Sequence, residues 1–294
     1  MTEPVFRFAP SPNGHLHLGH ALSALLNARA AVALGGRLLL RVEDIDQTRC
    51  TPDLEREMFE DLAWLGLHWE EPVVRQSDCF AFYRQALERL QDMGLVYPAY
   101  LTRAEIKGFV SGREAEGVSW PRDPDGAPLY PGDGAVLSED ERKRRAASDA
   151  PFALRLDMQQ ALTRIGQPLF WEELGAEGPA LFEPGRKISV EAAAWGDVVL
   201  ARKDTPTSYH LSVVVDDARQ GITDVLRGQD LYHATSVHRV LQELLGLPVP
   251  RYRHHRLILG KDGRKLSKSN RDTSLKILRD AGMSHAELRK RIGL

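Results

Sequence analysis

Residues 5–20 read Val5-Phe6-Arg7-Phe8-Ala9-Pro10-Ser11-Pro12-Asn13-Gly14-His15-Leu16-His17-Leu18-Gly19-His20, and they predict a strand, a turn and the start of a helix. The apolar run 5–9 suits a short buried strand, and Pro10 to Gly14 is turn chemistry. From 16 to 34 the spacing predicts a helix with apolar residues at 18, 22, 25 and 26, stopped by Gly35-Gly36. Residues 37–42 then return as a second strand. Strand, turn, helix, strand in that order implies an α/β fold with a doubly wound parallel sheet, the helix N-terminus lying beside the carboxyl ends of the strands. Unpaired backbone N–H groups and the helix dipole favour an anion at that point. Residues three apart share a helix face, so His17 and His20 can both reach such an anion, and Gly19 leaves room for a base or ribose.

A second segment, Lys265-Leu266-Ser267-Lys268-Ser269, follows a strand-like run at 256–259 and the hairpin signal Asp262-Gly263. It places Lys265 and Lys268 on a loop. Two imidazoles at a helix N-terminus and an ammonium brought in by a loop together fit an ATP site, in which a lysine neutralises charge growing on departing pyrophosphate. Neither segment is specific alone; the pair, in this order, is.

Arg7 to Gly14, His17-Leu18-Gly19-His20, Arg41-Val42-Glu43-Asp44-Ile45-Asp46, Val213-Val214-Val215-Asp216-Asp217 and Lys265 to Ser269 occur in the order of the sequence blocks of class I aminoacyl-tRNA synthetases of the glutamyl type. The chain resembles that family nearly end to end. The resemblance implies a Rossmann-like catalytic domain interrupted by an α/β subdomain, with ATP and Mg²⁺ as cofactors and L-glutamate as substrate. It puts His17, His20, Lys265 and Lys268 in catalysis, and His17, Gly19, His20 and Lys268 against ATP. Glutamate is expected at Arg7, Phe8, Ala9, Pro10, Ser11, Glu43, Tyr209 and Arg227. Only 25 residues follow Ser269, so no anticodon-binding domain is expected. In this the chain is most similar to the short family members that glutamylate the queuosine base at position 34 of tRNA(Asp). Two alternatives stay open: a minimal enzyme charging a tRNA 3′ end, and a non-catalytic tRNA-binding relative.

Charge chemistry agrees with the pocket that the resemblance implies. Glutamate carries an ammonium and two carboxylates, so a selective site needs an anion and two donor clusters. Glu43 suits the ammonium, while Arg7, Arg227 and Tyr209 supply the donors. Which arginine meets which carboxylate stays undecided.

Composition limits the alternatives. The chain has 294 residues and a net charge of −2, but residues 251–294 hold 13 lysines and arginines against 4 acids, leaving 26 against 37 elsewhere. A basic segment so placed suits the stem of a tRNA. Met1-Thr2-Glu3-Pro4 opens no signal peptide, and no run approaches the ~18 apolar residues of a membrane span, so a cytoplasmic, monomeric protein is expected. Cys50 and Cys79 are too few for a disulfide framework or a cysteine-rich zinc site.

The expected organisation is a first half of the catalytic domain at 1–98, an inserted subdomain at 99–190, the second half at 191–250, and the lysine loop with a short helical basic segment at 251–294. Helices are expected at 52–65, capped by Thr51, at 78–93, capped by Ser77, and at 233–245. Strands are expected at 197–201 and 209–215. Many of the short relatives hold zinc in the insertion; the matching positions here are Ala99, Leu101, Tyr130 and Gly134. One tyrosine cannot hold zinc, which needs four N, S or O donors. No zinc is expected, with Tyr97, Tyr100 and Tyr130 packing in its place.

Overall fold

The computed structural model describes residues 3–260 and 274–294. Its strands and helices run β1 (Val5–Phe8), α1 (Leu18–Ala33), β2 (Arg37–Val42), α2 (Pro52–Trp64), β3 (Glu70–Arg75), α3 (Phe80–Asp92), β4 (Val96–Ala99), α4 (Arg103–Ala115), α5 (Asp133–Val136), α6 (Glu139–Ala147), β5 (Ala153–Leu156), α7 (Met158–Ile165), β6 (Phe170–Leu174), β7 (Arg186–Ser189), β8 (Val199–Arg202), α8 (Tyr209–Arg219), β9 (Asp224–Gly228), α9 (Ala234–Leu245), β10 (Arg251–His255), α10 (Leu275–Asp280) and α11 (His285–Ile292). The main sheet has the order β3-β2-β1-β9-β10-β6-β7, and a second sheet has the order β4-β5-β8. Every pairing in the main sheet is parallel except β6 with β7. The strand order reverses between β1 and β9, which is where a doubly wound sheet opens a crevice.

Strand alternation divides the core. Phe6 and Phe8 point to the face that packs α1, α2, α10 and α11, whereas Val5 turns to the side of Val225 and Tyr252. A second large cluster joins α3, α8 and α9 to the small sheet. Asn27, fully buried in α1, donates to the Leu226 carbonyl at 3.0 Å and so pins α1 to β9. At the turn into β2, a Cβ on Gly36 would come within 2.3 Å of the Pro4 carbonyl oxygen, and that close approach lets Arg37 N–H donate to the same oxygen at 2.8 Å.

Several expectations are met in detail. Thr51 Oγ1 caps α2 by accepting from Leu54 N–H, and Pro52 occupies its first turn. Others are revised. Ser77 caps nothing: its N–H and hydroxyl both donate to Asp44, and α3 begins only at Phe80. Residues 209–215, expected as a strand, lie in α8. Ser208 caps that helix, and Leu211 to Asp217 are all buried, so that stretch has no solvent-facing stripe and the run of valines mimics a strand. The strand expected at 256–259 instead lies at Arg251–His255. Arg253 is buried and Arg251 partly exposed, and both donate to Asp224 on β9. Within the basic segment, Arg279 pairs with Asp61 and Glu60, and Lys276 with Asp280.

The compositional break at 99–190 also maps differently onto the sheets. Residues 100–152 form a helical excursion between β4 and β5, but β6 and β7 extend the edge of the main sheet, and β8 joins the small one. Cys79 is buried and Cys50 half-buried, and the two are not joined in a disulfide. No described helix is long and apolar enough to cross a membrane.

In the excursion, Ala99, Leu101, Tyr130 and Gly134 do not fit a zinc ion. A hydrogen-bonded cluster centres instead on Asp133, which accepts from Tyr100 N–H at 3.1 Å and from the Tyr130 hydroxyl. Arg145 donates to the Tyr100 carbonyl and to Glu105, and the Arg155 guanidinium lies 3.9 Å from the Tyr130 ring centroid. Tyr97 donates to Asp197 at 2.6 Å. The Arg145 guanidinium and the Thr102 N–H hold the Glu105 carboxyl down at about 2. We expect elemental analysis of the purified protein to find well under one zinc per chain, and a chelator to leave its melting temperature unchanged. Asp133→Ala should destabilise by about 1–3 kcal/mol, the cost of two half-buried donors left unpaired, read as a lower urea midpoint.

Candidate functional site

A cleft of about 360 Å³ opens at the carboxyl ends of β1, β2, β9 and β10. Arg7, Phe8, Ala9, Pro10, Ser11, His17, Gly19, His20, Glu43, Tyr209 and Arg227 all line it. The structure thus brings together eleven residues from five separate stretches of the chain. Lys265 and Lys268 lie outside the described residues. The flanks of their segment are placed: Leu257 and Ile258 line the cleft on one side, and on the other Ser274 forms a β-bridge with His17 while Leu275 N–H donates to the Leu16 carbonyl at 2.7 Å.

The two imidazoles are set by the backbone of α1. His17 is the N-cap, its Nδ1 accepting from Gly19 N–H at 3.1 Å. His20 reaches back so that its Nδ1 accepts from His17 N–H at 3.1 Å. This is a capping box built from two histidines in place of serine and glutamate. An Nδ1 that accepts leaves the ring proton on Nε2, so each imidazole keeps an Nε2–H donor. The rings lie 3.9 Å apart. A Cβ at Gly19 would come 3.0 Å from the His17 ring, so the glycine makes room first for the capping imidazole, and only beyond it for a ligand.

The opposite wall is charged. Arg7 and Arg41 are buried, and both donate to Asp217 Oδ1, at 3.0 and 2.8 Å. Arg41 also donates to Glu43 at 3.3 Å, which fixes that carboxylate at the mouth of β2. Burial pushes the Glu43 carboxyl above the usual carboxylate range, against the pull of Arg41 and Arg7. Burial would do the same to Asp217, but Arg7 and Arg41 outweigh it and hold its carboxyl low. Asp216 is taken up on the far side by Tyr83, Gln76 and Arg219.

Arg227, 5% exposed at the end of β9, contacts Tyr209, His238, Thr235, Leu231 and His254. Burial pushes the Tyr209 hydroxyl up, with Arg227 pulling against it. Burial and Arg227 together push His210 down to about 4 and His238 well below its ordinary value. Sequence reasoning did not find Ser23, Asp230, His255, Leu257 or Ile258, which also line the cleft. The crowding of four histidines into 233–255 was the available signal. Chemically, the site offers imidazole N–H donors at a helix N-terminus for a polyanion, and a neighbouring pocket of mixed charge for a small zwitterion.

Comparisons with known proteins agree in one direction. A protein from Rhodobacter capsulatus named Glutamyl-Q tRNA(Asp) synthetase is 47% identical over 291 residues, covering 99% of this chain and 100% of its own. One of the same name from Symbiobacterium thermophilum is 40% identical, covering 95% of this chain and 82% of its own. The crystal structure of glutamate-tRNA synthetase from Elizabethkingia anophelis superposes with a TM-score of 0.69 at 26% identity over 92% of this chain. The chain spans about half the length of that enzyme, 53%. Residues 4–294 match the family described as tRNA synthetases class I (E and Q), catalytic domain. With its cleft at the strand-order reversal and a match running nearly end to end, the chain belongs to the class I tRNA synthetases of that E and Q family.

Proposed function

We propose that the chain activates L-glutamate with ATP and transfers it to the queuosine base at position 34 of tRNA(Asp). The observation that carries the first half is the convergence of Arg7, Glu43, Tyr209 and Arg227 beside His17 and His20 in one cleft. The second half rests on the relatives named for glutamyl-Q and tRNA(Asp), which this chain matches over 80–100% of their length, against 55–57% for three relatives named glutamate–tRNA ligase 2.

In the first step the glutamate α-carboxylate attacks the α-phosphorus of ATP, the bond to the bridging oxygen breaks, and pyrophosphate leaves with glutamyl-adenylate formed. Glu43 takes the ammonium, and Arg7 and Arg227 face the carboxylates. The Nε2–H groups of His17 and His20 donate to phosphate oxygens, with Lys268 and Lys265 supplying further positive charge. Mg²⁺ bound with the nucleotide would screen the triphosphate's charge. In the second step a hydroxyl of queuosine's cyclopentene diol attacks the activated carbonyl, giving an ester and AMP. The protein supplies no nucleophile of its own; it positions and stabilises charge.

Glutamate-dependent ATP–pyrophosphate exchange should proceed without tRNA. Lys268→Ala should slow it by on the order of 10²-fold or more, and exchange at the unaltered rate would remove that lysine from the mechanism. Glu43→Ala should chiefly raise the KM for glutamate, since Asp217 still pairs Arg41 and keeps the fold.

For the acceptor, tRNA(Asp) with guanosine at position 34 should not be charged, while queuosine-containing tRNA(Asp) stripped of its 3′-terminal adenosine should be. Mass spectrometry of the nuclease-released nucleoside reads both arms. Charging of the first substrate, or failure of the second, would point to a 3′-end enzyme instead.

A further inference from the structure

Arg227 is held in a manner unlike Arg7, which also lines the cleft, and Arg41 behind it. Arg7 and Arg41 share Asp217, and Arg41 adds Glu43. Among the described residues, no carboxylate lies within ion-pair distance of Arg227. Five neutral acceptors take its N–H groups: Nε–H goes to His254 Nε2 at 3.1 Å, Nη1 to the Tyr209 hydroxyl at 3.3 Å and His238 Nδ1 at 3.2 Å, and Nη2 to the Leu231 carbonyl at 3.1 Å and Thr235 Oγ1 at 2.7 Å.

A guanidinium can only donate. The ring nitrogens facing it are therefore unprotonated, and the tautomers follow. His254 carries its proton on Nδ1, which donates to Glu173 Oε2 at 2.8 Å. His238 carries its proton on Nε2, which lies 3.3 Å from His210 Nδ1. Glu173, on β6, also accepts the His254 N–H at 3.0 Å, so the carboxylate is fixed at two points. It stands one imidazole width from Arg227 and cannot pair with it directly.

We propose that His254 and His238 are positioning residues that hold Arg227 rigidly without cancelling its charge, and that Glu173 enforces this by locking the His254 tautomer. The pairing explains the arrangement. Arg7 and Arg41 are engaged by Asp217 and Glu43, whereas Arg227 meets only neutral acceptors and so keeps its charge for a ligand carboxylate. Free glutamate brings two carboxylates. A carboxylate in place of either histidine would hold the guanidinium as firmly but would remove the charge. This inference rests on glutamate being the amino acid that enters the cleft.

The test uses glutamate-dependent ATP–pyrophosphate exchange on the full chain, with His238→Gln and His238→Glu compared. Glutamine keeps a neutral acceptor and should leave the KM for glutamate within about threefold. Glutamate at 238 pairs Arg227 internally and should raise that KM at least tenfold, with the KM for ATP unchanged and the melting temperature not lowered. At the other histidine, His254→Leu should raise the KM for glutamate tenfold or more, and His254→Gln should largely restore it. A role in packing alone would not separate the neutral from the acidic variant. Equal KM values for the two His238 variants, in an enzyme that does exchange with glutamate, would overturn the inference alone. No glutamate-dependent exchange in the unaltered chain would overturn the underlying reading together with it.

Discussion

The site depends on one buried cation. Arg41, with no exposed surface, reaches from β2 to Asp217 on α8 and Gln220 at its C-cap, and turns back to Glu43 on its own side. Burial opposes its charge, and Asp217, Glu43 and Asp216 more than compensate. An unpaired charge at that depth would cost several kcal/mol, so β2 and α8 are bound to one relative position. That position sets the rest of the wall. Asp217, held by Arg41, in turn holds Arg7, and Glu43 has little freedom left except to face the cleft. A pocket that must recognise a zwitterion thus has its charges arranged before the ligand arrives, and no reorganisation is left for the moment of reaction.

The other wall is organised by backbone alone. α1 needs its first N–H groups satisfied, and His17 and His20 satisfy two of them with one nitrogen each. The capping requirement therefore orients two donors as a by-product of helix stability. The glycine between them is needed for the same reason, since its absent Cβ is what the His17 ring occupies.

Where local rules governed, the sequence was legible. Thr51 and Pro52 start α2 as their types demand, and the strand, turn and helix at 5–34 form where apolar spacing put them. It was misleading where burial is complete and the partner is distant. α8 looks like a strand because Leu211 to Asp217 are buried on every side. β10 looks like a charged surface because nothing near Arg253 in sequence announces Asp224 or the carbonyls of Gly175 and Leu181. The site shows the same division. His17 and Glu43 sit in sequence blocks and, with Arg227, were named as candidates that line the cleft; His238 and His254 reach Arg227 from separate elements, and no spacing rule links 227 to 238 and 254.

The pairing of Ala99 with Ala153 across β4 and β5 has a consequence for modularity. Residues 100–152 leave the body and return at adjacent points on two antiparallel strands, where neighbouring backbones lie about 5 Å apart. Such an excursion is a cassette: a short reverse turn could close the gap it leaves without altering any strand order. The hairpin of β6 and β7 has no such freedom, because deleting it would leave β10 as an unpaired edge beside the cleft. Variation in length, composition and metal content among related chains is thus structurally cheap between 100 and 152. It is constrained from β6 onward, even though the two stretches look alike in composition.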